Sequence, residues 1–207
     1  ITETYGCAGW EFTFEGQKWI GDFQYVQGVN LRSQHLALYS VKGCRKRDYP
    51  PVFNYNTTWW NRNRVVEDYF ARVGAVMRPG LAVRDVLVLH PASTAWAMLG
   101  ANPYGIPDRN KDRDIPGINR YGDDFNRFLR GLLGAHYDFD LGDETILAEE
   151  GRVEDDRLFV KLAGYRAVVL PPMSTMLSST YRLLLAFLNA GGRAVAVSPV
   201  PRLADGR

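Results

Sequence analysis

The second half of this chain contains a series of short, almost wholly apolar runs, each followed by a segment of helical period. No other feature constrains the fold as strongly. VRDVLVLHP, YRAVVLPP and RAVAVSP are too short for helices and too uniformly apolar to leave one side in water, the pattern of strands buried on both faces. Between them, DDFNRFLRGLLG spaces Phe125, Phe128, Leu129, Leu132 and Leu133 along one predicted inward face, and SSTYRLLLAFLNAGG runs to a glycine stop. AHYDFDLGDETILAEEG supplies a further strand and a short helix. Strands alternating with helices require crossovers, and crossovers generate a parallel sheet covered on both faces. The second half is therefore expected to be an open α/β domain, interrupted after its first strand by the long polar segment ANPYGIPDRNKDRDIPGINR.

The first half follows a different pattern. Thr13 is a plausible N-cap for FEGQKWIGDFQYVQ, with Glu15 in the first turn, Gly28 at the stop, and Phe12, Trp19, Phe23 and Val26 recurring on one apolar face. In VNLRSQHLALYS, polar Asn30, Arg32 and Gln34 alternate along a strand-like run, so the strand directs polar groups at something. KGCRKRDYPPVFNYNTT is too long and polar for a plain connection and favours a functional loop. WWNRNRVVEDYFARVGAVM then carries Val65, Val66, Tyr69, Phe70, Val73, Val76 and Met77 as the clearest amphipathic helix of this half. RPGLA breaks that helix, so the expected domains are residues 1–79 and 80–207.

Charge and motif content exclude several function classes. Residues 1–80 carry 10 Lys/Arg against 7 Asp/Glu (+3) and the remainder 15 against 16 (−1), giving the overall +2 and no electrostatic case for nucleic acid or an anionic membrane. No apolar run approaches the roughly 18 residues that would span a bilayer. Two cysteines, Cys7 and Cys44, make neither a disulfide framework nor a zinc site and are expected as buried thiols. The first strand-to-helix connection of the second half lacks both the dinucleotide and the phosphate-loop glycine patterns, so no cofactor is expected. Asp138, Asp140, Asp143 and Glu144 fit no calcium loop, and no metal site is expected. His90, Pro91 and Ser93 stand where an open sheet binds ligands, yet His90 has no visible partner carboxylate and is expected to be structural.

Chemistry, if present, belongs to the first half. Glu3 lies at the end of a strand, a helix follows, and a polar strand then ends at Gln34 and His35, which gathers side chains at carboxyl ends of strands, the active-site face of a (β/α)8 barrel. Tyr5, Trp10, Tyr39, Tyr49, Phe53, Tyr55, Trp59 and Trp60 surround these positions; such density suits sugars, although core packing accounts better for Trp59 and Trp60. For Arg45, Lys46 and Arg47 the simpler explanation is a solvated loop, unless Asp48 or a ligand pairs them. Asn56-Thr57-Thr58 matches a glycosylation acceptor. Glu3 itself is open to a structural and a catalytic role.

The stretch ETYGCAGWEFTFEGQKWIGDFQYVQGVN, followed by QHLALYSVKGCRKRDYPP and WW, resembles large bacterial glycoside hydrolases of the α-L-rhamnosidase-like kind. YDFDLGDETIL and AVVLPP are similar to the amidotransferase-like α/β domain found after the barrel in such enzymes and in certain β-galactosidases. The resemblance implies that residues 1–79 form the last part of a catalytic barrel, since a whole one needs about 250 residues, with Glu3 on the seventh strand and Asn30 to His35 on the eighth. It further implies that Glu3 is the nucleophile of a retaining enzyme or the base of an inverting one, and that Gln34, His35 and Tyr39 bind a carbohydrate substrate, to which the aromatic density around Glu3 adds Tyr5 and Trp10. A second carboxyl group, required about 5 Å away for retention or about 6.5–9.5 Å for inversion, is expected outside this chain, which alone is expected to be inactive. Copies can associate through the α/β domain. Two other classes stay open: a non-catalytic carbohydrate-binding or scaffold module, and a small-molecule-binding α/β domain with its ligand near His90.

Overall fold

The computed structural model describes residues 1–35, 37–47, 52–99 and 117–207, so Asp48, Tyr49 and most of the long polar insertion lie outside the described residues. The chain is mixed α/β and divides into two units, residues 1–81 and 82–207. The first is built on two parallel strands, β1 (Thr2–Thr4) and β2 (Arg32–Gln34), with helix α1 (Phe14–Val26) between them and α2 (Arg64–Met77) after them. Thr13 caps α1 as its side chain allows, accepting the Gly16 N–H at 3.0 Å, and Gly28 takes a left-handed φ of 97° just past the end.

The buried face of α1 differs from the one its apolar spacing predicts. Gln17, Gly21 and Tyr25 point inward, whereas Trp19, Phe23 and Val26 are exposed. The cause is a close helix contact: the Phe70 ring of α2 fills the space a Cβ at Gly21 would occupy, and Tyr25 stacks on the same ring with centroids 5.7 Å apart. α1 turns its smallest residue to the neighbour, and its large residues go elsewhere. Gly21→Ala is therefore expected to lower stability by about 1–3 kcal/mol by overpacking, even though alanine returns about 1 kcal/mol of helix propensity. A fall in the urea midpoint checks this; a rise would mean that Phe70 swings clear. On α2 the buried positions are Val66 and Phe70, while Val65, Val76 and Met77 lie outside the core.

The second unit contains β3 (Val86–Leu89), α3 (Ala92–Leu99), α4 (Ile118–Gly134), β4 (Phe139–Gly142), α5 (Glu144–Glu150), β5 (Gly151–Glu154), β6 (Arg157–Val160), β7 (Ala163–Tyr165), β8 (Ala167–Leu170), β9 (Thr175–Met176), α6 (Ser178–Asn189), β10 (Arg193–Ala196) and β11 (Leu203–Ala204). Its main sheet runs β10-β8-β3-β4, all parallel. Leu87, Leu89, Val168, Leu170 and Phe187 anchor its core. β5, β6 and β7 form a separate antiparallel sheet, and β9 pairs with β11 in parallel. Burial on both faces holds for β3, where Leu87, Val88 and Leu89 are sealed, but every residue of β10 is exposed. α4 places Phe125, Phe128, Leu129 and Leu132 half-buried and leaves Leu133 exposed, so none of its predicted inward residues is fully enclosed. α6 begins at a leucine without capping ability. Its cap comes from Asp205, which accepts the Ser178 N–H at 2.9 Å and the Ser178 hydroxyl, bonds that hold the Asp205 carboxyl below its ordinary range.

Among the described residues no helix is long and apolar enough to cross a membrane. Both cysteines are exposed and unbonded, against the expectation of buried thiols. Cys7 sits in the tight turn after β1, with φ of 60°, and Cys44 in a short 3-10 turn, Gly43–Lys46.

Candidate functional site

Register divides the side chains of the strand pair between two faces. Glu3 lies opposite Ser33, and both are exposed; Thr4 lies opposite Gln34, on the face toward the helices. One residue past β2, His35 returns to the Glu3 face, its backbone N–H donating to the Thr4 carbonyl at 2.8 Å. Its Nε2 stands 3.7 Å from Oε1 of Glu3, a separation that becomes an ion pair when the imidazole is protonated. The Glu3 side chain is 72% exposed and that of His35 is 21% exposed, so the carboxylate is presented to solvent from a fixed neighbour.

The turn after Glu3 is strained. Tyr5 and Cys7, neither a glycine, have φ of 70° and 60°, a region that costs on the order of 1–3 kcal/mol for such residues and must be held by its surroundings. What holds Tyr5 is its own ring, swung inward to burial. Its hydroxyl donates to the Gln17 carbonyl at 2.6 Å and accepts from Arg32 Nη1 at 3.2 Å, and its ring packs on Phe12 and Phe53. Burial raises the Tyr5 phenol pKa, with Arg32 opposing.

Gln34 also faces away from Glu3. Its Nε2 donates to Glu67 Oε1 at 2.5 Å, beside Arg32 Nη2 to Glu67 Oε2 at 2.9 Å and Asn63 Nδ2 to Glu67 Oε1 at 3.2 Å. The alternating polar residues of β2 therefore point at a carboxylate on α2. Two long polar side chains on the helix-facing side of one strand require such a partner, and Glu67 supplies it. Arg32, with a side chain only 4% exposed, also lies over the Phe70 ring at 4.2 Å.

At the carboxyl end of the pair, the connections after β1 and β2 meet. The Trp10 indole N–H donates to the Lys46 carbonyl at 2.7 Å. Asn54 Nδ2 donates to the Leu38 carbonyl at 2.8 Å and the Tyr55 hydroxyl to the Tyr39 carbonyl at 3.2 Å, closing the base of the second loop, while Phe53 packs under it against Tyr5 and Trp59. The Tyr39 side chain is 93% exposed. The glycosylation-like triplet is engaged within this clasp: the Asn56 amide donates to the Leu38 carbonyl and to Asn54, and Thr57 is buried. Of the candidate residues, the structure thus brings Glu3 and His35 together, places Trp10 and Tyr39 on the loops at the same end, turns Tyr5 into the core and turns the half-buried Gln34 to Glu67.

A cavity of about 730 Å³ lies elsewhere in this unit, bordered by Asn30, Arg32, Glu67, Phe70 and Arg78, without Glu3 or His35. It follows the amino-terminal end of β2 and the last turns of α2. In the second unit, His90 packs against Phe125, Ser93 donates to Glu144 at 2.5 Å, and the other Glu144 oxygen accepts the Leu177 N–H at 2.6 Å. Those bonds tie three helices together and occupy the groups that a ligand there would need. Among the described residues no group of acidic, histidine or cysteine side chains is arranged to hold a metal ion.

No family model matches the chain, and no solved structure matches it. Over 142 residues it is 28% identical to a protein of Formosa agariphila named "Putative beta-glucuronidase", an alignment covering 64% of this chain and 12% of that protein. The chain thus corresponds to a small part of the relative's length, and its similarity is to a protein named as a glycoside hydrolase.

Proposed function

We propose that the chain is part of a glycoside hydrolase in which residues 1–79 complete a catalytic (β/α)8 barrel and residues 80–207 form an amidotransferase-like α/β domain. The observation that carries this reading is the meeting of Glu3 and His35 on one face at the carboxyl end of a parallel strand pair, the end where barrel enzymes place their chemistry. The similarity to a protein named as a glucuronidase supports the same class. Glu3 is the base or nucleophile. His35, Trp10 and Tyr39 line the sugar's approach, and the buried Tyr5 and the half-buried Gln34 hold the two strand ends in place.

In this mechanism one carboxyl group protonates the leaving oxygen while the other attacks the anomeric carbon or activates water. Within the first unit Glu67, Asp22 and Asp68 are each engaged by a neighbouring side chain. Glu15 lies in the first turn of α1 and Glu11 two residues before its cap, away from the strand ends, and this reading assigns the acid partner of Glu3 to another barrel strand. The test is hydrolysis of a panel of aryl glycosides by the longer protein and by its His35→Ala variant. Loss of one hydrogen bond to sugar beside Glu3 is expected to lower kcat/KM about 5- to 150-fold, the equivalent of 1–3 kcal/mol. Absence of hydrolysis across the panel by the intact protein would overturn the assignment.

A further inference from the structure

The loop after β2 carries Lys42, Arg45, Lys46 and Arg47, all exposed, within six residues. Ion pairs among the described residues of the first unit engage none of the four. An exposed run of like charge ordinarily repels itself into a solvated, variable segment. This one is fastened instead. Gly43–Lys46 is a 3-10 turn, Arg45 Nη1 donates back to the Lys42 carbonyl at 3.2 Å, and the Trp10 indole holds the Lys46 carbonyl at 2.7 Å. The clasp of Asn54 and Tyr55 on Leu38 and Tyr39 closes the loop from below. Because β1 and β2 are parallel, this fixed cationic turn stands at the same end as Glu3, tied to the connection that leaves it.

We infer that the turn is an anion subsite and that the glycan recognised at this rim is acidic, carrying carboxylate or sulfate groups. Resting on the proposed function, this names the substrate class. Four cations carried on a fastened turn at the same end as Glu3 form a divided field: the sugar at Glu3 meets the acid, and a neighbouring residue of the glycan meets the positive charge. The exposed faces of Trp10 and Tyr39 flank the turn and suit the apolar faces of pyranose rings. A polynucleotide fits less well, because its evenly spaced phosphates would run over Glu3 as well as over the cations.

Binding of the 207-residue chain to polygalacturonate, dextran sulfate, dextran and single-stranded DNA, followed by affinity electrophoresis with circular dichroism to confirm folding, tests the inference. Retention by polygalacturonate, by dextran sulfate or by both is expected, with the responding polymer identifying the anion. Affinity should fall on the order of tenfold in the combined Lys42→Gln, Arg45→Gln, Lys46→Gln and Arg47→Gln variant, and steeply with salt. Arg72→Gln, at an exposed cation of α2 outside the turn, should leave retention intact. Equal retention by dextran, insensitivity to the fourfold substitution, or tighter binding to DNA than to both acidic polymers overturns it. The two assignments fail separately. Loop-dependent acidic-glycan binding without hydrolysis by the longer protein keeps the subsite and removes the enzyme, whereas hydrolysis confined to neutral glycosides does the reverse.

Discussion

Glu3→Gln is expected to abolish turnover by the longer protein while leaving carbohydrate binding nearly unchanged. The amide keeps the size of the side chain and one acceptor oxygen, so contacts to sugar hydroxyls survive. It can neither accept a proton as a base nor form a glycosyl ester, and both roles belong to the transition state rather than to the bound sugar. Loss of either is expected to cost at least about a thousandfold in kcat. The surroundings favour a clean separation. Glu3 is exposed on its face, and its ion pair among the described residues is with His35 at 3.7 Å. Aryl glycoside hydrolysis and calorimetric binding measured on the same preparation check the two halves. Full activity in the variant would return Glu3 to a structural role, and parallel loss of binding and turnover would make it a binding residue.

How far the sequence reveals this site depends on whether its signals are local. Thr13, Gly28 and the alternation on β2 are local chemistry, and they place α1 and the polar strand correctly. What β2 points at is not local. Arg32 and Gln34 find Glu67 across more than thirty residues, and only the packing of α2 against the strands makes that acid a partner. The inward turn of Tyr5 depends on a left-handed φ that a tyrosine does not advertise. α1 misleads for a related reason: apolar spacing measures which residues dislike water, whereas Gly21 against Phe70 decides which side a neighbour can approach. In the second unit the apolar runs identify the parallel strands, but the hairpins of β5 to β7 carry no glycine turn signal. Their links are two-residue turns, Asp155-Asp156 and Lys161-Leu162, each opening on a left-handed residue that is not glycine. The α6 cap is similarly remote, with Asp205 rather than a residue beside the helix accepting the Ser178 N–H.

Phe187→Ala is expected to destabilise the second unit by about 3–5 kcal/mol, the range for deleting a large aromatic ring from a sealed core. Phe187 is fully enclosed on α6 and belongs to the cluster containing Leu87, Leu89, Val168 and Leu184, so its ring supports the central strands β3 and β8 together. The site cannot easily collapse around the loss. On one side the ring occupies the space that a Cβ at Gly192 would fill, which means that the turn into β10 already approaches as closely as backbone can. On the other side the contacting strands are fixed by their register. A cavity that neighbours cannot fill keeps the full cost, which is a large share of the about 5–15 kcal/mol typical of a whole domain. Urea unfolding followed by circular dichroism should therefore show a large shift of the transition assigned to this unit. Phe187→Leu, which retains most of the volume, should recover more than half of the loss if packing is the cause. Equal losses in the two variants would mean that the ring acts through something other than the space it fills.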